Sequence, residues 1–295
     1  MKINLSKFFQ MRLNVLIFQA LPPRVCFLYM RILGALYFFV KKGEKRLIEA
    51  NIRDMLGRHH GRELRRLTRD TFRGIITHYF EKVFAAFRPY HYVKTYVEKH
   101  FHVRGIEVLD KALARGRGAL LVTAHWGAVE FIPWVLAIKG YPMSVILECS
   151  TQFLLDALKE KIQYGDVELI SAKMDGRVLF EALDSLKRNR LLMTEIDEVD
   201  RWHKREKSTI ELFGKQLYFD NTLDVIARRT GAPVVGVFLE RKEKHSYTLN
   251  LEDISVEKSP QSVARDALNL WQKYVARRPE QWYQWKKWSA MKAVS

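Results

Sequence analysis

Apolar residues fall into three textures along the chain. Between Leu13 and Val40 they form nearly continuous runs, broken at Pro22-Pro23 and punctuated by Arg24 and Arg31. From Gly43 to about Pro89 they recur at three- and four-residue spacing, through Leu47, Ile48, Ile52, Met55 and Leu56 and then Leu64, Leu67, Ile75, Ile76, Tyr79 and Phe80. That period predicts amphipathic helices. Beyond residue 105 short apolar runs alternate with helical stretches. Strands are expected at Ala119–Thr123, Met143–Glu148, Glu168–Ser171, Leu191–Glu195, Thr209–Phe213, Pro233–Leu239 and Tyr247–Leu251. Helices are expected at Ala128–Ile138, Gln152–Tyr164, Arg177–Arg188 and Thr222–Arg229, with a long one from Ser262. Such alternation predicts an α/β fold: a mostly parallel sheet flanked by helices, with ligand sites at the carboxyl ends of its strands. The textures divide the chain into a membrane-anchoring apolar segment (1–42), a basic helical region (43–100) and an α/β domain (101–295).

Charge sharpens that division. The 295 residues hold 50 Lys and Arg against 33 Asp and Glu, a formal net charge of +17. Residues 1–100 carry +13 of it, residues 101–270 carry −1 and the last 25 carry +5. On total charge alone the partner is any polyanion, nucleic acid included. An apolar N-terminus and the lack of a recognisable nucleic-acid module weigh against nucleic acid and favour anionic membrane lipid. Two cysteines, Cys26 and Cys149, provide no disulfide framework. A reduced, cytoplasm-facing domain is the expectation.

The first forty residues contain no acid. A spanning helix needs about 20 mainly apolar residues, and Arg31 within the run would cost roughly 2.5–3.5 kcal/mol on insertion scales. The stretch is therefore read first as an interfacial hairpin whose arginines snorkel, with a buried helix pair and a true span as alternatives. Trp282, Trp285 and Trp288 leave a similar choice between a headgroup-level edge and core packing. Arg53, Arg62, Arg65, Arg66, Arg69 and Arg73 are read either as a solvated helix face or as contacts for anionic lipid or an acidic protein.

Candidate chemistry centres on Gly118-Ala-Leu-Leu-Val-Thr-Ala-His125-Trp-Gly-Ala-Val-Glu130-Phe. A buried strand ends, a histidine follows, and Glu130 is placed to reach back to it from the next helical turns. A carboxylate on one imidazole nitrogen fixes the tautomer and leaves the other nitrogen free to take a proton. Catalysis, a structural His–Glu hydrogen bond and a metal ligand are all compatible with the spacing. A second His-x4-acid pair, His102 and Glu107, lacks the preceding apolar run. The cluster Glu195-Ile196-Asp197-Glu198-Val199-Asp200 also follows an expected strand. It suits a divalent cation, a polar headgroup or a solvated loop with internal salt bridges.

These residues resemble the late acyltransferases of lipid A biosynthesis, relatives of the glycerolipid acyltransferases with a His-x4-Asp/Glu motif. The likeness extends over Leu21-Pro22, Asn51 through Phe72 to Glu81, Leu212-Phe213-Gly214, Arg228-Arg229-Thr-Gly-Ala-Pro233, and Arg278-Pro-Glu-Gln-Trp282-Tyr-Gln-Trp285. It implies an O-acyltransferase at the cytoplasmic face of the inner membrane. The donor would be an acylated acyl carrier protein and the acceptor a hydroxyl of a lipid A precursor, or else a lysophospholipid or aminolipid. His125 and Glu130 would form the catalytic dyad, and no cofactor or metal is implied. Lys161, standing where the family usually has arginine, and Arg177, beside Asp175-Gly176, are implied as substrate contacts. The family's Asp-Gln is here Glu195-Ile196, followed by Asp197-Glu198, and Glu195 and Asp197 are implied as further substrate contacts.

Overall fold

The computed structural model describes residues 5–57, 61–172, 177–198, 209–242, 246–254 and 262–292. Six of the seven expected strands join one sheet with a strand that the apolar pattern does not reveal. In chain order they are β1 (Phe101–Arg104), β2 (Ala119–Thr123), β3 (Met143–Leu147), β4 (Val167–Ser171), β5 (Leu191–Glu195), β8 (Val234–Arg241) and β9 (Tyr247–Asp253). Their spatial order is β1-β9-β8-β2-β5-β3-β4. Every neighbouring pair is parallel except β8 with β9, which run antiparallel. The seventh expected strand, β6 (Thr209–Leu212), pairs with β7 (Lys215–Tyr218) as a separate antiparallel hairpin. Both unexpected strands are four residues long and half polar, too short for a periodic signal.

β2 lies in the middle of the sheet, with β5 and β8 on either side, and all five of its residues are buried. That is the environment a continuous Ala-Leu-Leu-Val-Thr run requires, since both of its faces are covered. One face carries α6 (Tyr90–His100), α7 (Ile106–Leu113) and α8 (Ile132–Ile138). On the other are α9 (Gln152–Ile162), α10 (Val178–Lys187), α11 (Thr222–Thr230), α12 (Val263–Arg277) and α13 (Trp288–Met291). Trp282, Trp285 and Trp288 are fully buried in that second layer, so the three-residue spacing serves core packing and not a headgroup edge.

The N-terminal half is helical: α1 (Leu5–Phe9), α2 (Arg12–Ala20), α3 (Pro23–Val40), α4 (Lys42–Met55) and α5 (Gly61–Phe87). Pro23 opens α3 at a position where its missing N–H costs nothing, and α2 and α3 form the expected hairpin. Arg88 fastens its turn by donating to the carbonyls of Gln19 and Leu21. Cys26, Met30, Gly34, Tyr37 and Phe38 face inward, and Gly34 lies so close to α5 that a Cβ there would meet Ile76 Cδ1 at 2.1 Å. The other face of α3 shows Val25, Leu28, Ile32, Leu36 and Phe39 to the outside, and Met11, Leu13 and Leu16 extend the patch along α2. By length and composition α3 is able to cross a membrane. Its inward face nonetheless belongs to the same apolar core as the sheet.

Candidate active site

β2 and β5 are parallel neighbours with Thr123 opposite Glu195, so the chain leaves both strands at the same edge of the sheet. The Ile196 N–H donates to Thr123 O at 2.8 Å and holds the two exits together. His125 lies on one exit and Asp197 on the other. His125 Nδ1 is 2.8 Å from Asp197 Oδ1, and the His125 backbone N–H donates to both carboxylate oxygens at 3.1 Å. Trp282 Nε1 donates to Asp197 Oδ2 at 2.8 Å from beneath. Asp197 is entirely buried, a location a carboxylate tolerates only when its lone pairs are taken up in this way.

The turn that presents His125 is clamped on several sides. Gly127 has φ +64°, and a Cβ on it would fall 1.9 Å from Leu239 O. Its N–H donates to Gln281 O at 3.0 Å, and its carbonyl accepts from Arg241 Nη2 at 2.5 Å. Arg241 is itself anchored by a bidentate pair with the buried Glu81. Tyr283 N–H donates to His125 O at 3.2 Å. The closing Gln-Trp-Tyr segment of the chain is thus a wall of the site.

His125 Nε2 faces acids. Glu195 Oε2 is 3.2 Å away and Glu198 Oε1 is 3.0 Å away, and Glu198 is shared with Lys287 Nζ at 2.7 Å. Burial disfavours a charged imidazole here, but the carboxylates of Glu195, Asp197 and Glu198 outweigh it and push His125 up to about 9. Burial, assisted by the neighbouring acids and opposed by His125, raises Glu195 to about 7. Asp197 moves the other way: burial works against its charge, but His125 and the Trp282 donor hold it below the usual carboxylate range. His125 Nε2 and one oxygen each from Glu195 and Glu198 lie within 4.8 Å of one another, a set able to hold a divalent cation. The N···O distances are equally those of an imidazolium donating to two carboxylates.

Glu130 departs from the expected pairing. It lies on a single 3₁₀ turn, Val129–Phe131, which directs it toward α5 and not toward His125. There it accepts from Lys82 Nζ at 2.9 Å and stands 3.6 Å from His78 Nε2. His78 stacks on Tyr283 with ring centroids 3.3 Å apart, and Tyr283 meets His125 edge-on at 5.1 Å. Glu130 therefore joins the site through Lys82 and the rings, while Asp197 occupies the position on His125 Nδ1.

The remaining expected contacts separate. Glu195 is in the site, as described. Lys161 is not: it is buried, and its Nζ donates to Ala85 O at 2.5 Å and Arg88 O at 2.6 Å, closing the carboxyl end of α5. Burial lowers its ammonium to about 7. Arg177 is exposed at the start of α10, next to Val178. Asp175-Gly176, Val199 and Asp200 lie outside the described residues. Lys82 and Tyr283 are additional residues of the site. Their sequence signal is slight: Lys82 follows Glu81 inside the apolar run from Ile75 to Phe87, where a charge pair is out of place unless it is satisfied.

A cavity of about 760 Å³ begins at Lys82, His125, Glu130, Glu195 and Glu198. Its other walls are mainly apolar, among them Leu154, Leu158, Leu169, Leu179, Leu223 and Leu268. A cluster of titratable groups at one end and an apolar interior beyond it suit a substrate with a long hydrocarbon chain and a reactive polar end. A search of curated proteins finds no match to the chain. The sequence profile of the family described as bacterial lipid A biosynthesis acyltransferase matches residues 7–288, nearly the whole chain. With the parallel sheet, the histidine at its carboxyl edge and the apolar cavity beside it, this protein belongs to the bacterial lipid A biosynthesis acyltransferases.

Proposed function

We propose that the protein transfers a fatty acyl chain from an acyl thioester, carried by acyl carrier protein, to a hydroxyl of a lipid A precursor at the cytoplasmic face of the inner membrane. The observation that carries this reading is His125 with Asp197 on Nδ1 and Nε2 at the mouth of an apolar cavity. Asp197 keeps the Nδ1 proton in place, so Nε2 is the nitrogen that accepts a proton from the hydroxyl. The hydroxyl oxygen attacks the thioester carbon, and His125 then returns the proton to the leaving thiolate. Arg177, exposed beside the cavity-lining Val178, is assigned to the donor's phosphate. The exposed apolar faces of α2 and α3, flanked by Arg12, Arg24, Arg31, Lys41 and Lys42, would rest in an anionic bilayer. Basic surface near that region suits an acidic carrier.

The acids around His125 favour a second acceptor class. Glu195 and Glu198 on Nε2 would attract an ammonium group, as in an aminolipid. Mass spectrometry of membrane lipids separates the readings, using cells that lack the protein and carry either wild type or His125→Ala. Loss of one acyl chain from lipid A in the His125→Ala cells supports the first. Intact lipid A with altered phospholipids or aminolipids replaces it with the second. Wild-type lipids in the His125→Ala cells would refute His125 as the base.

A further inference from the structure

The transfer proposed above passes through a tetrahedral intermediate whose oxygen carries a full negative charge. This cavity is a poor place for such a charge. Glu130, Glu148, Glu195, Glu198 and Asp220 line it, and Asp197 lies directly behind His125. Lys82 is the sole lysine or arginine among its described lining residues. An oxyanion forming here therefore requires compensation from a fixed donor, and Lys82 is the cation in position.

The geometry fits that use. Lys82 extends from α5 into the wall that also presents His125 and Glu195. Its Nζ donates once, to Glu130 Oε1 at 2.9 Å. An ammonium has three donors, which leaves two for the cavity. Glu130 steadies the side chain without burying it, since about a quarter of Lys82 is still accessible. Burial acts against its charge, but the Glu130 carboxylate more than offsets this, so Lys82 stays protonated. Glu195 contributes in the same direction, which puts Lys82 within electrostatic reach of the acids on His125. The helix itself is secured one turn further on, where Lys161 closes the carbonyls of Ala85 and Arg88.

We infer that Lys82 is a catalytic residue whose ammonium holds the oxyanion of the acyl-transfer intermediate, with Glu130 as the residue that positions it. The inference rests on the acyltransferase reading of the site. In the step, the acceptor oxygen bonds to the thioester carbon while His125 takes the hydroxyl proton. The carbonyl π pair moves onto oxygen, where Lys82 Nζ donates to it. The pair then returns, the C–S bond breaks, and the thiolate leaves with the proton from His125. Atoms and charge balance with no further reactant. Glu130 then serves a different partner from the one its spacing to His125 implies.

The test compares Lys82→Gln, Lys82→Arg and His125→Ala in the full-length, detergent-solubilised protein, with a lauroyl acyl carrier protein donor and a lipid A precursor acceptor. Gln keeps a donor for Glu130 but lacks the charge; Arg keeps the charge. An oxyanion donor is worth about 100- to 1000-fold in kcat, so Lys82→Gln should lose that much while KM for the thioester changes by less than about threefold. Lys82→Arg should recover at least about tenfold of the loss. Thermal melting of each variant shows whether the fold persists, and the Arg variant preserves the comparison should Gln prove unstable. The inference is overturned if Lys82→Gln keeps kcat within about threefold, if its effect is confined to KM, or if Arg behaves like Gln. An active His125→Ala overturns the acyltransferase mechanism itself. An inactive His125→Ala beside a normal Lys82→Gln removes only the role given to Lys82.

Discussion

Replacing Asp197 with asparagine tests which carboxylate governs His125. The carboxylate accepts from His125 Nδ1 at 2.8 Å, from the His125 backbone N–H and from Trp282 Nε1 at 2.8 Å, with no water-exposed surface. An asparagine offers one acceptor oxygen in place of two, and its amide must point at one of these donors. If the amide meets Trp282, two N–H groups oppose each other in a buried site. If it meets the imidazole, Nδ1 must become the acceptor, and the proton moves to the nitrogen that has to be free. Breaking a buried charged contact of this kind costs about 3–5 kcal/mol. The misplaced tautomer costs up to about 10⁴-fold in kcat, by analogy with Asp→Asn in a serine-protease triad. Stability is read from urea unfolding in detergent and kcat from acyl transfer to a lipid A precursor. Glu130→Gln, in the same assays, should leave the imidazole oriented and lose activity only through the freed Lys82. The reasoning is refuted if Asp197→Asn transfers acyl chains within about threefold of wild type while Glu130→Gln is dead. That outcome would return the orienting role to Glu130.

Two further perturbations report on the site's charge and its frame. The proposed base, His125, acts only when unprotonated and is held at about 9, so acyl transfer should rise with pH toward that value. Glu195→Gln removes one of the carboxylates that raise it, so the acid limb of the kcat profile should move to lower pH; an unmoved limb would show that another group sets it. Gly127→Ala places a Cβ 1.9 Å from Leu239 O at a backbone φ of +64°, and should lower stability by about 1–3 kcal/mol or more. A melting temperature unchanged in that variant would contradict the tight turn.

Legibility in the sequence follows the range of the signal. β2 is buried throughout and β5 over Leu191–Met193, so each opens on an apolar run, and the sequence-based boundaries agree with the observed ones. That alone placed His125 and the Glu195–Glu198 cluster at strand ends. The partnership of His125 and Asp197 spans 72 residues and arises because β5 inserts beside β2, an adjacency no local pattern encodes. Spacing misled at Glu130 because five residues of separation limit distance but not direction. Gly127 in the left-handed region, followed by one 3₁₀ turn, aims the carboxylate at α5. Lys161 misled for the opposite reason: its charge is plain in the sequence, but the two carbonyls that take it up come from a helix end more than seventy residues earlier.

The site holds two charged groups that meet around the Tyr283 and His78 rings. On one side His125 is held by Asp197, Glu195 and Glu198; on the other Lys82 is held by Glu130. Burial drives His78 well below its usual range, with Lys82, Arg241 and His125 adding to the effect, so a neutral imidazole stacks on Tyr283 beside Glu130. Neutrality there matters. A charged ring 3.6 Å from Glu130 would compete with Lys82 for that carboxylate. With Glu130 left to Lys82, the proposed mechanism has the two groups it uses at the same moment: a base for the hydroxyl at His125 and a cationic donor for the carbonyl oxygen at Lys82. Most of the net basic charge of the first hundred and last twenty-five residues lies outside this arrangement, but each segment lends it one cation, Lys82 to Glu130 and Lys287 to Glu198.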